Sequence, residues 1–349
     1  LVALEQMAGE PDRGFVRAVE KLALHADATV RAAALRELAG HAGGDAAAAE
    51  EALSDRDPDV RAAAATAFAT LAHDDAVDRL APHLEDPSRD VRVAALAGLL
   101  QHGGLEGDIV GGARLGRMLA SPAREERVEA ARALSTLGPE AYRPLRRLLA
   151  DPDPVVRRAA LKAAPGVADP RLVPALVDAL MDPSTRRRAG AALVAVGAPA
   201  VTPLIVVLAD ESMPRAVRLL VPRILRHIPA EKTYEMLLPL VAVRDSFLRL
   251  RTFAALSRLR QSLGRGPEPL RTVQAMVEAE LLETYRNQSG WLRARPAFET
   301  PLLLEIFEFR QERAMRRILR ILELRYDPAP LGLVREHLLD PKRRANSIE

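Results

Sequence analysis

The sequence predicts an all-α protein, a right-handed α-solenoid (superhelix) of about nine to ten helix pairs. Residues 138–209 contain a leucine-rich segment, an Asp-Pro turn, an arginine and an alanine-rich segment, and this order recurs along most of the chain. The arginine returns at intervals of 30–35 residues, a period typical of stacked helix pairs that bury their apolar faces against one another. Aromatic residues make up only 3% of the chain against 48% hydrophobic residues, so Ala, Leu and Val must build the core.

The repeated arginine is preceded, six residues earlier, by an aspartate in most copies. Because these positions fall at the turn between two helices, we expect each arginine to bind the turn of its own or of the adjacent repeat and so to form a structural ladder. Eight arginines in register would alternatively suit a binding stripe. The ladder residues are Arg31, Arg61, Arg92, Arg127, Arg157, Arg188, Arg218 and Arg251, with Asp55, Asp86, Asp151, Asp182 and Asp245.

The repeat register divides the chain into three segments. Residues 1–262 are predicted to form a regular array, and residues 263–299 an irregular insertion with a longer helix over residues 270–285, followed by a polar break that contains Trp291. The repeats are expected to resume over residues 300–349, first as two helices, and to be cut off at the end of the chain.

Two segments need a separate explanation. The glycine pairs at 103–104 and 111–112 predict a loose loop, which would account for the longest interval between arginines. Residues 189–209 carry no charge and are long enough to span a bilayer. Pro199 and Pro203 would break such a helix near its middle, so the segment is predicted to be buried solenoid.

The repeated motif resembles HEAT repeats, in particular the short bacterial kind grouped with phycobilisome lyases. The resemblance is carried by segments such as residues 55–64 (DRDPDVRAAA) and 151–160 (DPDPVVRRAA), and it covers about residues 15–260. It implies a scaffold that holds another protein, or another domain of the same chain, along a concave surface. A lyase or chaperone for a tetrapyrrole is suggested by the repeat type alone, and the scarcity of aromatic residues weighs against it.

The C-terminal tail resembles bacterial proteins in which HEAT repeats follow a nucleotide-carrier-like (MFS) transporter domain and often precede a cyclic-nucleotide-binding domain. The residues that carry this resemblance are 316–322 (RRILRIL), 326–328 (YDP) and 342–349 (KRRANSIE). It implies a cytoplasmic domain of a larger, membrane transporter-linked protein, with both ends of this chain lying inside that protein. The lack of cysteine fits a reducing compartment.

The sequence offers no catalytic, cofactor or metal site. It contains no phosphate-binding glycine loop, no dinucleotide fingerprint and no nucleophile elbow. Its seven histidines never stand three or four residues apart, the spacing that a helical metal pair requires. The sequence therefore predicts a protein that is not an enzyme and needs no cofactor.

Charge provides the strongest functional indication. Residues 213–349 carry 25 basic against 16 acidic residues, whereas residues 1–212 carry 25 against 31. The predicted basic binding face suits an acidic protein, a nucleic acid, as in HEAT-like DNA glycosylases, or an anionic lipid surface. The scarcity of aromatic side chains disfavours base stacking. The candidate residues of this face are Arg223, Arg226 and Arg258, with Arg313, Arg316, Arg317 and Arg320 on one face of a predicted helix.

Overall fold

The structure, a computed structural model, describes residues 13–41, 45–72, 76–294 and 301–337. Within these ranges the chain is helical and contains no β-strand, and the all-α solenoid predicted from the sequence is confirmed. The α-helices are α1 (Arg13–Leu22), α2 (Ala28–Leu38), α3 (Ala46–Ala52), α4 (Pro58–Ala72), α5 (Val77–Leu80), α6 (Arg89–His102), α7 (Gly104–Ala120), α8 (Arg124–Leu134), α9 (Tyr142–Leu149), α10 (Pro154–Val167), α11 (Val173–Asp178), α12 (Arg186–Val196), α13 (Val201–Ala209), α14 (Arg215–Arg218), α15 (Val221–Leu225), α16 (Glu231–Leu237), α17 (Ser246–Ser262), α18 (Leu270–Ala294), α19 (Pro301–Leu322) and α20 (Pro328–His337). Short 3-10 helices cover Ala81–Glu85, Gly138–Ala141, Pro170–Leu172, Ala198–Ala200 and Leu238–Ala242.

Aspartates at the turns explain where several helices begin. The carboxylate of Asp153 accepts a hydrogen bond from the backbone N–H of Val155 at 2.7 Å, and Pro154 occupies the first helical position of α10. Asp27, Asp45 and Asp245 cap α2, α3 and α17 in the same way. An aspartate cap satisfies an N–H group that the helix leaves unpaired, and a proline there forfeits no helical hydrogen bond. The Asp-Pro turns therefore start helices.

Alanines build the contacts between successive repeats in the first half of the chain. Helix α4 packs against both α2 and α6, and α8 packs against both α6 and α10. In α4 the buried side chains include Ala63, Ala64, Ala65, Ala67 and Ala69. Because an alanine adds little beyond the backbone, these helices approach closely, and buried leucines such as Leu35, Leu96 and Leu145 fill the rest of the core.

The chain divides into two compact units. The first unit comprises the described residues up to Ala179 together with Ser184–Ala195, and the second comprises Leu180–Pro183 and the described residues from Val196 onward. The segment limits predicted at 262/263 and 299/300 both fall inside the second unit.

The glycine-rich loop predicted around residues 103–112 is wrong, because this segment forms the regular helix α7. A Cβ atom on Gly107 would lie 2.4 Å from the carbonyl oxygen of Leu99, and one on Gly111 would lie 3.0 Å from the side chain of Leu100. These glycines therefore let α7 lie directly on α6. Their absent side chains serve packing rather than chain flexibility.

The polar break predicted around Trp291 is also wrong, since α18 continues to Ala294. The Trp291 ring stacks on Phe307 of α19, with 4.4 Å between ring centroids, and this contact outweighs the low helix propensity of the polar sequence. The two helices expected after residue 300 are one continuous helix, α19. Residues 338–349, on which part of the C-terminal prediction rests, lie outside the described ranges.

The uncharged segment 189–209 forms two helices rather than one. Helix α12 ends at Val196, Gly197 follows with a φ of +76°, and α13 begins at Val201 after a short 3-10 turn. Of the helices that the structure describes, none has both the length and the apolar character needed to cross a bilayer.

Candidate functional site

The repeated arginines of the first unit bind two successive turns at once. Arg61 donates through Nη1 to the carbonyl oxygens of Asp55 (2.8 Å) and Arg56 (3.2 Å) in its own turn. Its Nε and Nη2 donate to the two carboxylate oxygens of Asp86 at 2.9 and 3.0 Å. The guanidinium group thus closes one helix-connecting turn and ties it to the aspartate of the following turn.

The same arrangement recurs along the first unit. Arg31 binds Asp55, and Arg127 binds Asp151, each through Nε and Nη2 at 2.8–3.2 Å. Arg157 donates through Nη1 to the carbonyl oxygens of Asp151 and Pro152 at 2.8 Å. The two alternatives from the sequence, binding to the arginine's own turn or to the adjacent one, are therefore both realised in one side chain.

Arg92 obtains its carboxylate from a different place. Ser121 occupies the position where the next aspartate would stand, and Arg92 instead binds both oxygens of Glu129 at 2.8 and 2.6 Å. Glu129 lies within α8 and is only 5% exposed. The lack of an aspartate at position 121 was the only sign in the sequence that Arg92 binds a different carboxylate, because Glu129 is 37 residues away from Arg92.

The predicted ladder position Arg251 is wrong, because Arg249 has the ladder geometry in that repeat. Arg249 donates through Nη1 to the carbonyl oxygens of Val243 (2.8 Å) and Arg244 (3.0 Å). Asp245 caps α17, as Asp153 caps α10, and the ladder arginine follows such a cap by four residues rather than six. Counting six residues from Asp245 therefore leads to Arg251, although the ladder arginine of this repeat is Arg249.

Other predicted ladder residues make different contacts. In the second unit, Arg218 donates to the carbonyl oxygen of Leu208 at 3.0 Å and Arg251 to that of Leu219 at 3.0 Å. Asp245 accepts from Arg215 through both carboxylate oxygens. Arg188 lies half-buried in the first turn of α12, and Asp182 is exposed in the turn before it.

The ladder lowers the pKa of its aspartates. Hydrogen bonding to Arg31 is the largest influence on Asp55 and holds its carboxyl pKa below the usual value. Burial alone would raise the pKa of Asp86, but the hydrogen bonds from Arg61 and from the backbone N–H of Ser88 outweigh it, so that this pKa is lowered as well. A lowered pKa in the folded state means that the ionised carboxylate stabilises the fold.

We expect the Asp86→Asn variant to lose about 1–3 kcal/mol of unfolding free energy at pH 7, since a charge-assisted pair is lost from a largely buried position. This stabilisation exists above the unfolded pKa of about 3.9 and disappears as the pH falls through the lower folded pKa. The difference between parent and variant, measured from urea unfolding at pH 7 and at a pH below the unfolded pKa, should therefore shrink as the pH falls. The exposed Asp108→Asn variant is the control and should match the parent at both pH values. A pH-independent Asp86 effect would contradict this assignment.

A buried ion cluster connects three helices of the second unit. Glu280 on α18 accepts from Nε of Arg249 at 2.5 Å and from Nε of Arg317 on α19 at 2.7 Å. The three residues are 3%, 7% and 4% exposed. Arg249 also donates to Glu283. Two cations around one carboxylate thus hold α17, α18 and α19 together.

This cluster corrects the predicted basic face. Arg317 is buried against Glu280, and Arg320 donates to the buried Glu323 at 2.6 Å, so neither presents its charge to a partner. Arg313 and Arg316 share their helix face, as predicted, but that face turns inward and leaves both half-buried. The exposed members of the predicted set are Arg223, Arg226 and Arg258.

A cleft of about 700 Å³ lies between α17, α18 and α19. Its walls contain the only tryptophan of the chain and three of the seven phenylalanines, together with polar and charged residues. Sequence reasoning treated the aromatic residues as too scarce to matter, but the fold concentrates them here. The aromatic and charged residues lining the cleft are Phe247, Trp291, Phe307 and Phe309, with Glu283, Arg310, Arg313 and Arg317.

Arg313 contacts two aromatic rings of this cleft. Its guanidinium carbon is 3.3 Å from the ring centroid of Phe247 and 4.2 Å from that of Phe309. Burial lowers the pKa of Arg313, and the neighbouring charges of Arg316, Arg317, Arg215 and Arg251 lower it further. Nη1 of Arg313 and Nε of Arg316 are buried and lack a hydrogen-bond partner among the described residues. Positive charge is therefore in excess beside the cleft.

The described part of the chain contains no group of three or more His, Cys, Asp or Glu residues placed to hold a metal ion. The two pairs formed by arginine and a carboxylate in the cleft region, Arg249 with Glu283 and Arg317 with Glu280, are ion pairs rather than an acid–base pair. The site can bind charge and apolar surface.

In a comparison with known protein families, the family model for HEAT repeats matches residues 46–108 and 113–197 of this chain. No protein with a curated description matches the sequence. The match ends before the tail residues that resemble transporter-linked proteins.

Solved structures with a similar course of chain include several solenoids. An engineered protein is 21% identical, with a TM-score of 0.31, over 95% of this chain and 98% of its own. The complex of CpcE and CpcF of phycocyanin lyase from Nostoc sp. is 19% identical, with a TM-score of 0.39, over 73% and 97%. Yeast importin-beta (Kap95p) is 13% identical, with a TM-score of 0.40, over 98% of this chain and 53% of its own length.

Proposed function

We propose that this chain is a non-catalytic protein-interaction scaffold. The observation that carries the proposal is the arginine ladder. The arginines that recur in each repeat bind the turns and the next repeat, as Arg31, Arg61 and Arg127 do in their pairs with aspartates. These bonds fix the helices of the first unit in register. A surface fixed before binding loses less conformational entropy when a partner docks, which favours a role in holding other proteins.

The proposal extends to the context of the chain, a cytoplasmic domain of a larger bacterial protein linked to a membrane transporter. The resemblance of residues 316–322 and 342–349 supports this context, and the lack of cysteine fits the reducing compartment. A transporter sequence upstream of Leu1 in the gene would support it. A gene that encodes only further repeats would contradict it.

A display library of short random peptides, selected on the purified chain, tests the scaffold function. We expect enrichment of peptides that share a motif and bind with a Kd of about 1–100 µM, the range of a small contact surface. The heat-unfolded chain is the control and should enrich none of them. The scaffold function would be refuted if no peptide were enriched. Binding of single- or double-stranded DNA with a steep dependence on salt would then indicate a nucleic-acid-binding solenoid instead.

A further inference from the structure

We propose that the cleft between α17, α18 and α19 binds an acidic peptide segment, with an apolar side chain against Trp291 and Phe309 and an adjacent carboxylate on Arg310 and Arg313. The inference rests on the proposed function, since it specifies where and what the scaffold binds. Its basis is the juxtaposition of aromatic walls and uncompensated arginines in one cleft.

The aromatic wall is open to an incoming side chain. Trp291 and Phe307 stack on each other and are both half-buried, and Phe309, which lines the same cleft, is 49% exposed. Ile306, which also lines the cleft, is 41% exposed. Large apolar side chains left exposed next to one another in a folded chain are typical of a surface that a partner covers.

Among the described residues, no carboxylate forms an ion pair with Arg310 or Arg313 of the cleft. Glu283 lines the cleft, but Arg249 already binds it. Asp245 pairs with Arg215, and Glu280 with Arg249 and Arg317, while Glu312 beside Arg313 forms no ion pair with either arginine among the described residues. Arg310 and Arg313 have no carboxylate partner among the described residues. An anion from outside the chain would supply the missing charge.

The planar geometry of Arg313 favours a carboxylate as this anion. The rings of Phe247 and Phe309 contact the guanidinium group at 3.3 and 4.2 Å from its carbon, and such cation–π contacts favour a ring over a face of the guanidinium plane. Hydrogen bonding is then possible only along its edge, where a carboxylate binds with two parallel bonds.

The size of the cleft favours a short peptide segment over a polyanion as its ligand. A cleft of about 700 Å³ accommodates a few side chains. A nucleic acid requires a track of exposed cations that follows its backbone, and two of the four arginines expected to form such a track on α19 pair with Glu280 and Glu323 instead. The observations therefore favour an acidic protein segment over a nucleic acid.

The test repeats the peptide selection in parallel on the parent chain and on the Arg310→Gln/Arg313→Met double variant. We expect the parent to enrich peptides in which Asp or Glu stands next to a large apolar residue, and the double variant to lose them. In titrations with the enriched peptides, Arg310→Gln and Phe309→Ala should each weaken binding about tenfold. Replacement of the acidic residue of the peptide by its amide should have a similar effect.

Matched controls show whether a loss of binding comes from the cleft. Arg293→Met removes an exposed arginine of α18 that does not line the cleft, and it should leave peptide affinity unchanged. Arg310 is exposed, so its replacement should not alter the urea midpoint, and Arg313→Met removes a charge that its neighbours repel and should not lower that midpoint.

The outcomes distinguish this inference from the function on which it rests. Enriched peptides that lack acidic residues, or that bind the double variant equally well, would refute the cleft while the scaffold function stands. If neither protein enriched any peptide, both proposals would be refuted. If an oligonucleotide bound the parent chain and this binding were lost in the Arg310→Gln variant, the ligand of the cleft would be a nucleic acid and the acidic-peptide proposal would be refuted.

Discussion

Replacement of Glu280 by alanine is expected to destabilise the second unit by about 3–5 kcal/mol, the cost of leaving a buried charge without its partner. Arg317 would lose the carboxylate that it binds at 2.7 Å, and Arg249 would lose one of its two carboxylates. The urea midpoint should fall, and amide hydrogen exchange should accelerate in α17, α18 and α19. Glu278→Ala is the matched control, because Glu278 lies on the same helix but is exposed, and it should change stability by less than about 0.5 kcal/mol.

A second substitution tests whether the unpaired charge is the cause. Adding Arg317→Met to Glu280→Ala removes one of the stranded cations and keeps an apolar side chain of similar length. Stability should then recover in part, because an apolar group tolerates burial where an unpaired guanidinium does not. If the double variant were as unstable as the sum of the two single variants, lost packing rather than lost charge pairing would be responsible.

Gly166→Ala is expected to destabilise the first unit by about 1–3 kcal/mol or more, the effect of overfilling a close contact. The added Cβ would lie 1.8 Å from the backbone carbonyl oxygen of Ser135, which cannot rotate away. Helix α10 would have to separate from the end of α8, although these helices pack directly against each other. Urea unfolding of the first unit, followed by hydrogen exchange in α8 and α10, measures the loss.

Gly112→Ala provides the control with the opposite sign. Gly112 lies inside α7, and apart from its chain neighbours and the adjacent backbone of α7 no described heavy atom stands within 4 Å of the position that its Cβ would occupy. Alanine there should stabilise the protein by about 0.5–1 kcal/mol, because it restricts the unfolded chain and favours the helix. Equal effects of the two substitutions would show that the α8–α10 contact does not depend on Gly166.

The solenoid and most of the ladder were predictable because they rest on short-range geometry. Arg61 reaches the carbonyl oxygens of residues five and six positions before it, and a single turn contains both groups. Repetition of the turn then reveals the spacing. Arg249 was missed for a local reason as well: its aspartate is the helix cap, and counting six residues from it reaches the wrong arginine.

The buried ion cluster and the cleft could not be predicted, because each joins residues distant in sequence. Glu280 and Arg317 are 37 residues apart, and Phe247, Trp291 and Phe307 come from three different helices. The helical spacing of Arg313, Arg316, Arg317 and Arg320 correctly placed them on one face, but only the position of α18 decides that this face points inward. The periodicity of a sequence predicts which residues share a helix face, but not which helix packs against that face.

Each arginine–aspartate pair of the ladder joins two successive turns, and this affects how repeats can be added to such a chain. In the first unit one turn contributes an arginine to the following aspartate and its own aspartate to the preceding arginine, as Asp55 does with Arg31 while its carbonyl oxygen accepts from Arg61. A gene duplication that copies one whole period therefore inserts a donor and an acceptor together, and every link closes again across the new junction. The Arg92–Glu129 pair shows that a link also survives the loss of the turn aspartate when another helix supplies the carboxylate. Changes in repeat number are thus compatible with this fold, whereas an insertion of half a period leaves one arginine and one aspartate unmatched.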